Sequence, residues 1–142
     1  MKKLLALALA SAMVLSLAAC GSKDQPSGSQ SSGSSSSGDK VVKIGVFEPA
    51  TGDSASGGKK EMLGMQYANA QTPTVEVGGQ TYQVELVYGD NGSDQSKAPS
   101  AASQLVSAGV SIVLGSYGSG VSMAGGPIFN DAGLAAMGVT CT

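Results

Sequence analysis

Four short apolar runs, spaced so that a helix fits between neighbours, constrain the fold of this chain more than any other feature. Val41-Val42-Lys43-Ile44-Gly45-Val46-Phe47 is β-branched and mostly apolar, the composition of a strand covered on both faces. Residues 81–88, 110–114 and 134–138 repeat that character in weaker form. A polar, Gly-rich loop over 48–58 leads into a helix expected over 59–70, with Met62, Met65, Tyr67 and Ala68 available for its inward face. Residues 74–77 and 81–88 pair as a ribbon around Gly78-Gly79. Asp90-Asn91-Gly92-Ser93 breaks the second arm. Ser93 or Asp94 then caps a second helix that has Pro99 near its start and Gly109 at its end. A third helix over 121–131 is weaker, because Gly125-Gly126-Pro127 interrupts it. This alternation predicts an α/β fold, a parallel sheet with right-handed crossovers and helices on both faces. Such sheets bind ligands beyond the carboxyl ends of their strands, so 48–58, 89–94, 115–120 and 139–142 are the candidate loops.

The first 39 residues have a different character. Lys2 and Lys3 precede an uncharged, Leu/Ala-rich run over 4–17 that is too short for an ordinary membrane-spanning helix. Leu17-Ala18-Ala19-Cys20 follows, where a secretory signal peptide would end. The pattern resembles a bacterial lipobox, so residues 1–19 are expected to be a lipoprotein signal peptide and Cys20 the lipidated N-terminus of the mature chain. Residues 20–39 form a Ser/Gly tether with nothing apolar to bury. Its mean reach as a flexible coil is roughly 25 Å. Residues 40–142 are the remaining domain, and the expected location is the outer side of the cell membrane, held by lipid.

Composition excludes several classes of function. The formal net charge is −2, and the chain contains no Arg, His or Trp. Without Arg and with an acidic balance it is a poor partner for nucleic acid. Without His it lacks the commonest general base and metal ligand. Cys20 and Cys141 are the only cysteines, so a lipidated Cys20 leaves no structural disulfide and no Cys-based metal motif. No cofactor is implied. The Gly-rich run over 52–60 lacks P-loop spacing, and Gly118-Ser119-Gly120 lacks the third glycine of a dinucleotide fingerprint. Gly120-Val121-Ser122-Met123-Ala124 is close to a nucleophile elbow but has no histidine to serve it. The chain therefore reads as a non-enzyme. Ser116, Ser119, Thr140 and Thr142 instead offer short hydroxyls near strand ends that can hold a carboxylate together with loop N–H groups. They are equally compatible with ordinary turn residues, and Tyr117 with packing; the residues alone leave both readings open.

Val42-Lys43-Ile44-Gly45-Val46, Thr51-Gly52, Gly64-Met65-Gln66-Tyr67-Ala68-Asn69, the run Val113-Leu114-Gly115-Ser116-Tyr117-Gly118-Ser119-Gly120 and Gly138-Val139-Thr140-Cys141-Thr142 are together similar to branched-chain amino-acid ABC transporter substrate-binding proteins. The resemblance covers 40–142 and implies part of the N-terminal lobe of a type I periplasmic-binding-protein fold. It further implies a two-lobed clamp that closes on a free amino acid and delivers it to ABC permease subunits. In that frame Ser119 binds the ligand α-carboxylate, with Tyr117 and Gly118 beside it, and Thr140 and Thr142 serve the polar ends of the ligand. Some members place an aromatic residue in the first loop, where this chain has Gly57. The resemblance also implies a second lobe beyond residue 142, so the chain is expected to be an N-terminal fragment. A sensory receptor of the same fold is the alternative function, and a secreted hydrolase a remote one.

Overall fold

The computed structural model describes residues 40–141. The expected signal peptide, Cys20, the tether and Thr142 lie outside the described residues. In chain order the elements are β1 (Val41–Glu48), α1 (Ala55–Gln71), β2 (Thr74–Val77), β3 (Gln80–Asp90), α2 (Ala98–Ser107), β4 (Ile112–Leu114), α3 (Ser119–Asp131) and β5 (Ala136–Met137). They build one sheet of order β2-β3-β1-β4-β5. The expected α/β class holds: β3, β1, β4 and β5 run parallel, and only β2 is antiparallel, as the outer arm of the Gly78-Gly79 hairpin.

Handedness assigns the helices to faces. The chain steps from β1 to β3 in one direction, then returns across β1 to β4 and on to β5 in the other. Right-handed crossovers therefore put α1 on one face and α2 with α3 on the opposite face. The core lies under the second pair, where Phe47, Leu105, Val113, Val121 and Phe129 are buried. Phe47 and Phe129 meet edge to face with centroids 5.3 Å apart. α2 presents Ala98, Ala101, Ala102 and Leu105, small enough at three positions for the helix to lie close on the sheet.

Several boundaries differ from the sequence expectation. α2 starts at Ala98 with Lys97 at its N-cap, not Ser93 or Asp94; the Asp94 carboxylate instead accepts from the Ser96 amide in the preceding turn. α1 begins at Ala55 and runs through Gly57-Gly58, residues assigned above to a loop. Gly58 is buried against Pro49, where a side chain would strike the Pro49 carbonyl. Tyr67 does not turn inward, whereas Ala68 faces the hollow between α1 and the sheet. Tyr67 is 68 % exposed, while Glu61, Met62, Met65 and Asn69 are half-buried. α3 passes unbroken through Gly125-Gly126-Pro127, because Val121, Gly125 and Phe129 form one buried stripe at helical spacing. A Cβ at Gly125 would lie 2.7 Å from the Phe47 ring, so this glycine is where helix and sheet touch. The last two strands are shorter than expected, and β5 pairs through Ala136 and Met137 alone.

Candidate ligand cleft

The strand order creates a crevice. β1 is followed by a helix on one face and β4, its neighbour, by a helix on the other, so their outgoing loops diverge. The gap between them opens above Glu48 on one side and the loop from Gly115 to Gly118 on the other. Three polar residues among those described are buried, and all three stand at strand ends beneath this region: Glu48, Asn91 and Ser116.

Asn91 and Asp90 fix the first wall. Asn91 Nδ2 donates to the Phe47 carbonyl at 3.2 Å, and its Oδ1 accepts from the Ser93 amide at 3.1 Å. Asp90 accepts from the Thr51 hydroxyl at 2.7 Å and from the amides of Ala50, Thr51 and Gly92. Burial pushes the Asp90 pKa up, but these hydrogen bonds outweigh it and hold the group below its ordinary 3.8. Gly52, at φ +82°, sits so close to the Gly92 carbonyl that no side chain fits. The loop after β1 is thus pinned to the loop after β3.

The second wall is the turn from β4 into α3. The Ser116 hydroxyl donates to the Gly118 carbonyl at 3.3 Å and lies 3.3 Å from Ser122 Oγ, which itself donates to Gly118 at 3.2 Å. Ser116 is fully buried, so its hydroxyl stabilises the turn and does not face the cleft. Ser122 lies inside α3 and not on a strand-to-helix turn, which removes the structural basis of the nucleophile elbow. Gly118 is the N-cap of α3 and Ser119 its first residue, half-buried. Helix N-termini of this kind present N–H groups with no intrahelical acceptor.

Tyr117 joins the two walls. Its amide donates to Glu48 Oε2 at 2.8 Å, while its ring, 40 % exposed, lies over Gly57. A Cβ at residue 57 would be 2.6 Å from that ring. The aromatic surface at the mouth therefore comes from the loop after β4 and occupies the space above Gly57. Thr140, exposed and just beyond β5, donates its hydroxyl to Glu61 Oε1 at 2.6 Å.

Glu48 and Glu61 were absent from the sequence-derived candidates. Burial, and then the hydrogen bond and charge of neighbouring Glu61, raise the Glu48 pKa from 4.5 to about 8 against the opposing pull of the Tyr117 amide. The readable signal was an acid closing an apolar strand directly before a proline, a position that a solvent-facing loop carboxylate has no reason to occupy. A cavity of about 650 Å³ adjoins this wall: it is an apolar hollow between α1 and the sheet, lined by Ile44, Glu61, Met65, Ala68, Leu114 and Val139 among others. Among the described residues no three His, Cys, Asp or Glu side chains gather as a metal site.

Comparison with known proteins agrees with this architecture. Residues 41–142 match the family model described as periplasmic binding protein. A Leu/Ile/Val-binding protein homologue of Brucella abortus is 33 % identical over 93 residues, which cover 66 % of this chain and 25 % of the relative. A leucine-binding protein of Thermotoga maritima superposes with a TM-score of 0.66 at 32 % identity, covering 72 % of this chain and 28 % of that one. A branched-chain amino acid transporter substrate-binding protein of Streptococcus pneumoniae, solved with isoleucine, gives 0.64 at 29 % identity, covering 72 % and 30 %. The chain thus spans between a quarter and a third of the length of these relatives. On the match over 41–142 and on the shared sheet, it belongs to the periplasmic binding protein family.

Proposed function

We propose that this chain contributes one wall of an amino-acid receptor, the extracytoplasmic solute-binding component of an ABC importer for branched-chain or other small neutral amino acids. The observation that supports the reading is that the α3 N-terminus, at Gly118 and Ser119, follows the end of β4 next to the switch point between β1 and β4, and that Thr140 follows the end of the adjacent strand β5. The α-carboxylate of the ligand is received by the Ser119 hydroxyl and the positive end of the α3 dipole, beside Gly118 and Tyr117. Thr140 has one proton and gives it to Glu61, so what it offers a ligand is its lone pairs. That chemistry suits the α-ammonium. Thr142 follows in the same loop. The relatives named above, a Leu/Ile/Val-binding protein homologue, a leucine-binding protein and a transporter substrate-binding protein solved with isoleucine, support the substrate class. Closure of a second lobe over the ligand, as the greater length of the relatives implies, would supply the rest of the affinity.

Leucine titrated into the ¹⁵N-labelled full chain should shift the amides of Tyr117, Gly118, Ser119 and Thr140 with weak affinity. Each hydrogen bond to a charged ligand group contributes about 1.5–3 kcal/mol, so Ser119→Ala should weaken that binding about 10- to 150-fold. Unmoved amides at 117–119 with 0.1 M leucine would overturn the reading. In the same reading Cys20 carries lipid and holds the receptor at the membrane near its permease. Cys20→Ala should then move the chain expressed in bacteria from the membrane to the soluble fraction and abolish its labelling by palmitate. Labelling that survives the substitution would remove the anchor.

A further inference from the structure

Two carboxyl oxygens at the base of the cleft have no conventional partner. Glu48 Oε1 and Glu61 Oε2 are both buried and accept from no donor, although each carboxyl's other oxygen does: Glu48 Oε2 from the Tyr117 amide, Glu61 Oε1 from the Thr140 hydroxyl. The two side chains are within hydrogen-bonding range of each other. Two ionised carboxylates placed so would repel, and two orphaned oxygens would each cost the desolvation of a buried acceptor. One proton between them removes both problems.

We propose that Glu48 and Glu61 form a carboxyl–carboxylate pair sharing a single proton, and that this pair positions the loops after β4 and β5 on either side of the cleft. Glu48 is the protonated member, donating from Oε1 to Glu61 Oε2. Glu61 accepts from both Glu48 and Thr140. The chain of donors runs Tyr117 N–H to Glu48, Glu48 O–H to Glu61, and Thr140 O–H to Glu61, so it fixes the Tyr117 backbone at one end and the direction of the Thr140 hydroxyl at the other. The raised pKa of Glu48 agrees with the assignment of the proton. Other charged groups nearby do not change the balance. Asp90, beside Glu48 in the sheet register, is committed to Thr51 and the amides around it. Lys59 and Lys60 precede Glu61 on α1 on exposed positions, and neither is among the groups acting on Glu48. When base takes the shared proton into solvent, two like charges remain at the site, and the loops must part or admit water.

The pair itself does not depend on what the cleft binds; only its consequence for ligand geometry rests on the amino-acid reading. The test is a ¹³C-carboxyl titration of the glutamates in the full chain between pH 4 and 10, with amide shifts followed in parallel. Glu48, Glu61, Glu76 and Glu85 are its four glutamates, so the signals are resolvable by substitution. The expected result is one carboxyl transition near pH 8, with the Tyr117 and Thr140 amides moving at the same midpoint. Glu48→Gln, which can still accept from Tyr117 and donate to Glu61, should abolish that transition and hold both amides at their low-pH positions throughout. Wild-type glutamates that all titrate below pH 6 would overturn the shared proton. A transition near pH 8 that leaves the Tyr117 and Thr140 amides unmoved would overturn the positioning role. If leucine moves nothing while the transition persists, it is the ligand reading that fails and the pair that stands.

Discussion

Phe47→Ala is expected to cost about 3–5 kcal/mol of folding stability, a large share of what a small domain possesses. Phe47 is 1 % exposed, stacks edge to face on Phe129 and fills the space that Gly125 leaves open on α3. Truncation removes the ring contacts and leaves a cavity between two rigid elements. The backbone on both sides is held by sheet and helix hydrogen bonds, so collapse into the void is limited. Urea unfolding of the full chain measures the loss. Leu63→Ala on the outer face of α1, where the side chain is 63 % exposed, serves as the control and should change stability by less than about 0.5 kcal/mol. If Phe47→Ala behaved like the control, the core would not lie between β1 and α3.

The second large effect is on the pH dependence of stability. Glu48 is held at about 8 in the folded chain against an ordinary 4.5. Between those values the folded state keeps a proton that the unfolded chain has released, so stability falls as pH rises. The contribution is complete below about pH 4.5, declines up to about pH 8 and is then exhausted. Each pKa unit corresponds to about 1.4 kcal/mol, so the expected loss is on the order of a few kcal/mol. Asp90 acts in the opposite sense. Its pKa lies below 3.8, so its contribution is present above that value and lost on further acidification. Stability should therefore peak at about pH 4–5 and decline on both sides. Glu48→Gln should flatten the alkaline limb and leave the acid limb unchanged. Equal wild-type stability at pH 5 and pH 8 would contradict the folded-state proton.

The parts of the fold legible in the sequence were those written in local chemistry. The apolar, β-branched run ending at Phe47 announces the central strand, and Gly78-Gly79 marks the hairpin where it occurs. The misread glycines share one cause. Gly57, Gly58 and Gly125 carry the same local signal as turn glycines, yet each sits within a helix because another element presses against it: Tyr117, Pro49 and Phe47 respectively. A glycine chosen for close approach cannot be told from one chosen for backbone freedom until the neighbour is known. The cleft followed the same rule. The candidate loops were placed at strand ends by topology; Tyr117 and Gly118 lie between β4 and α3, Ser119 opens α3 and Thr140 follows β5. The burial of Ser116 and the pairing of Glu48 with Glu61 join residues far apart in the chain, and like charges give no hint of attraction unless the proton between them is considered.

The strand order has a consequence for how such a chain is made. β1 lies at the centre of the sheet, yet it is the first strand to leave the ribosome, and both of its partners come later: β3 on one side, then β4 on the other. Until β4 emerges, the most apolar segment of the domain has an open edge, and only the β2–β3 hairpin can form from adjacent residues. A nascent chain built in this order cannot close its sheet before β4 has emerged, so the central strand completes its pairing late.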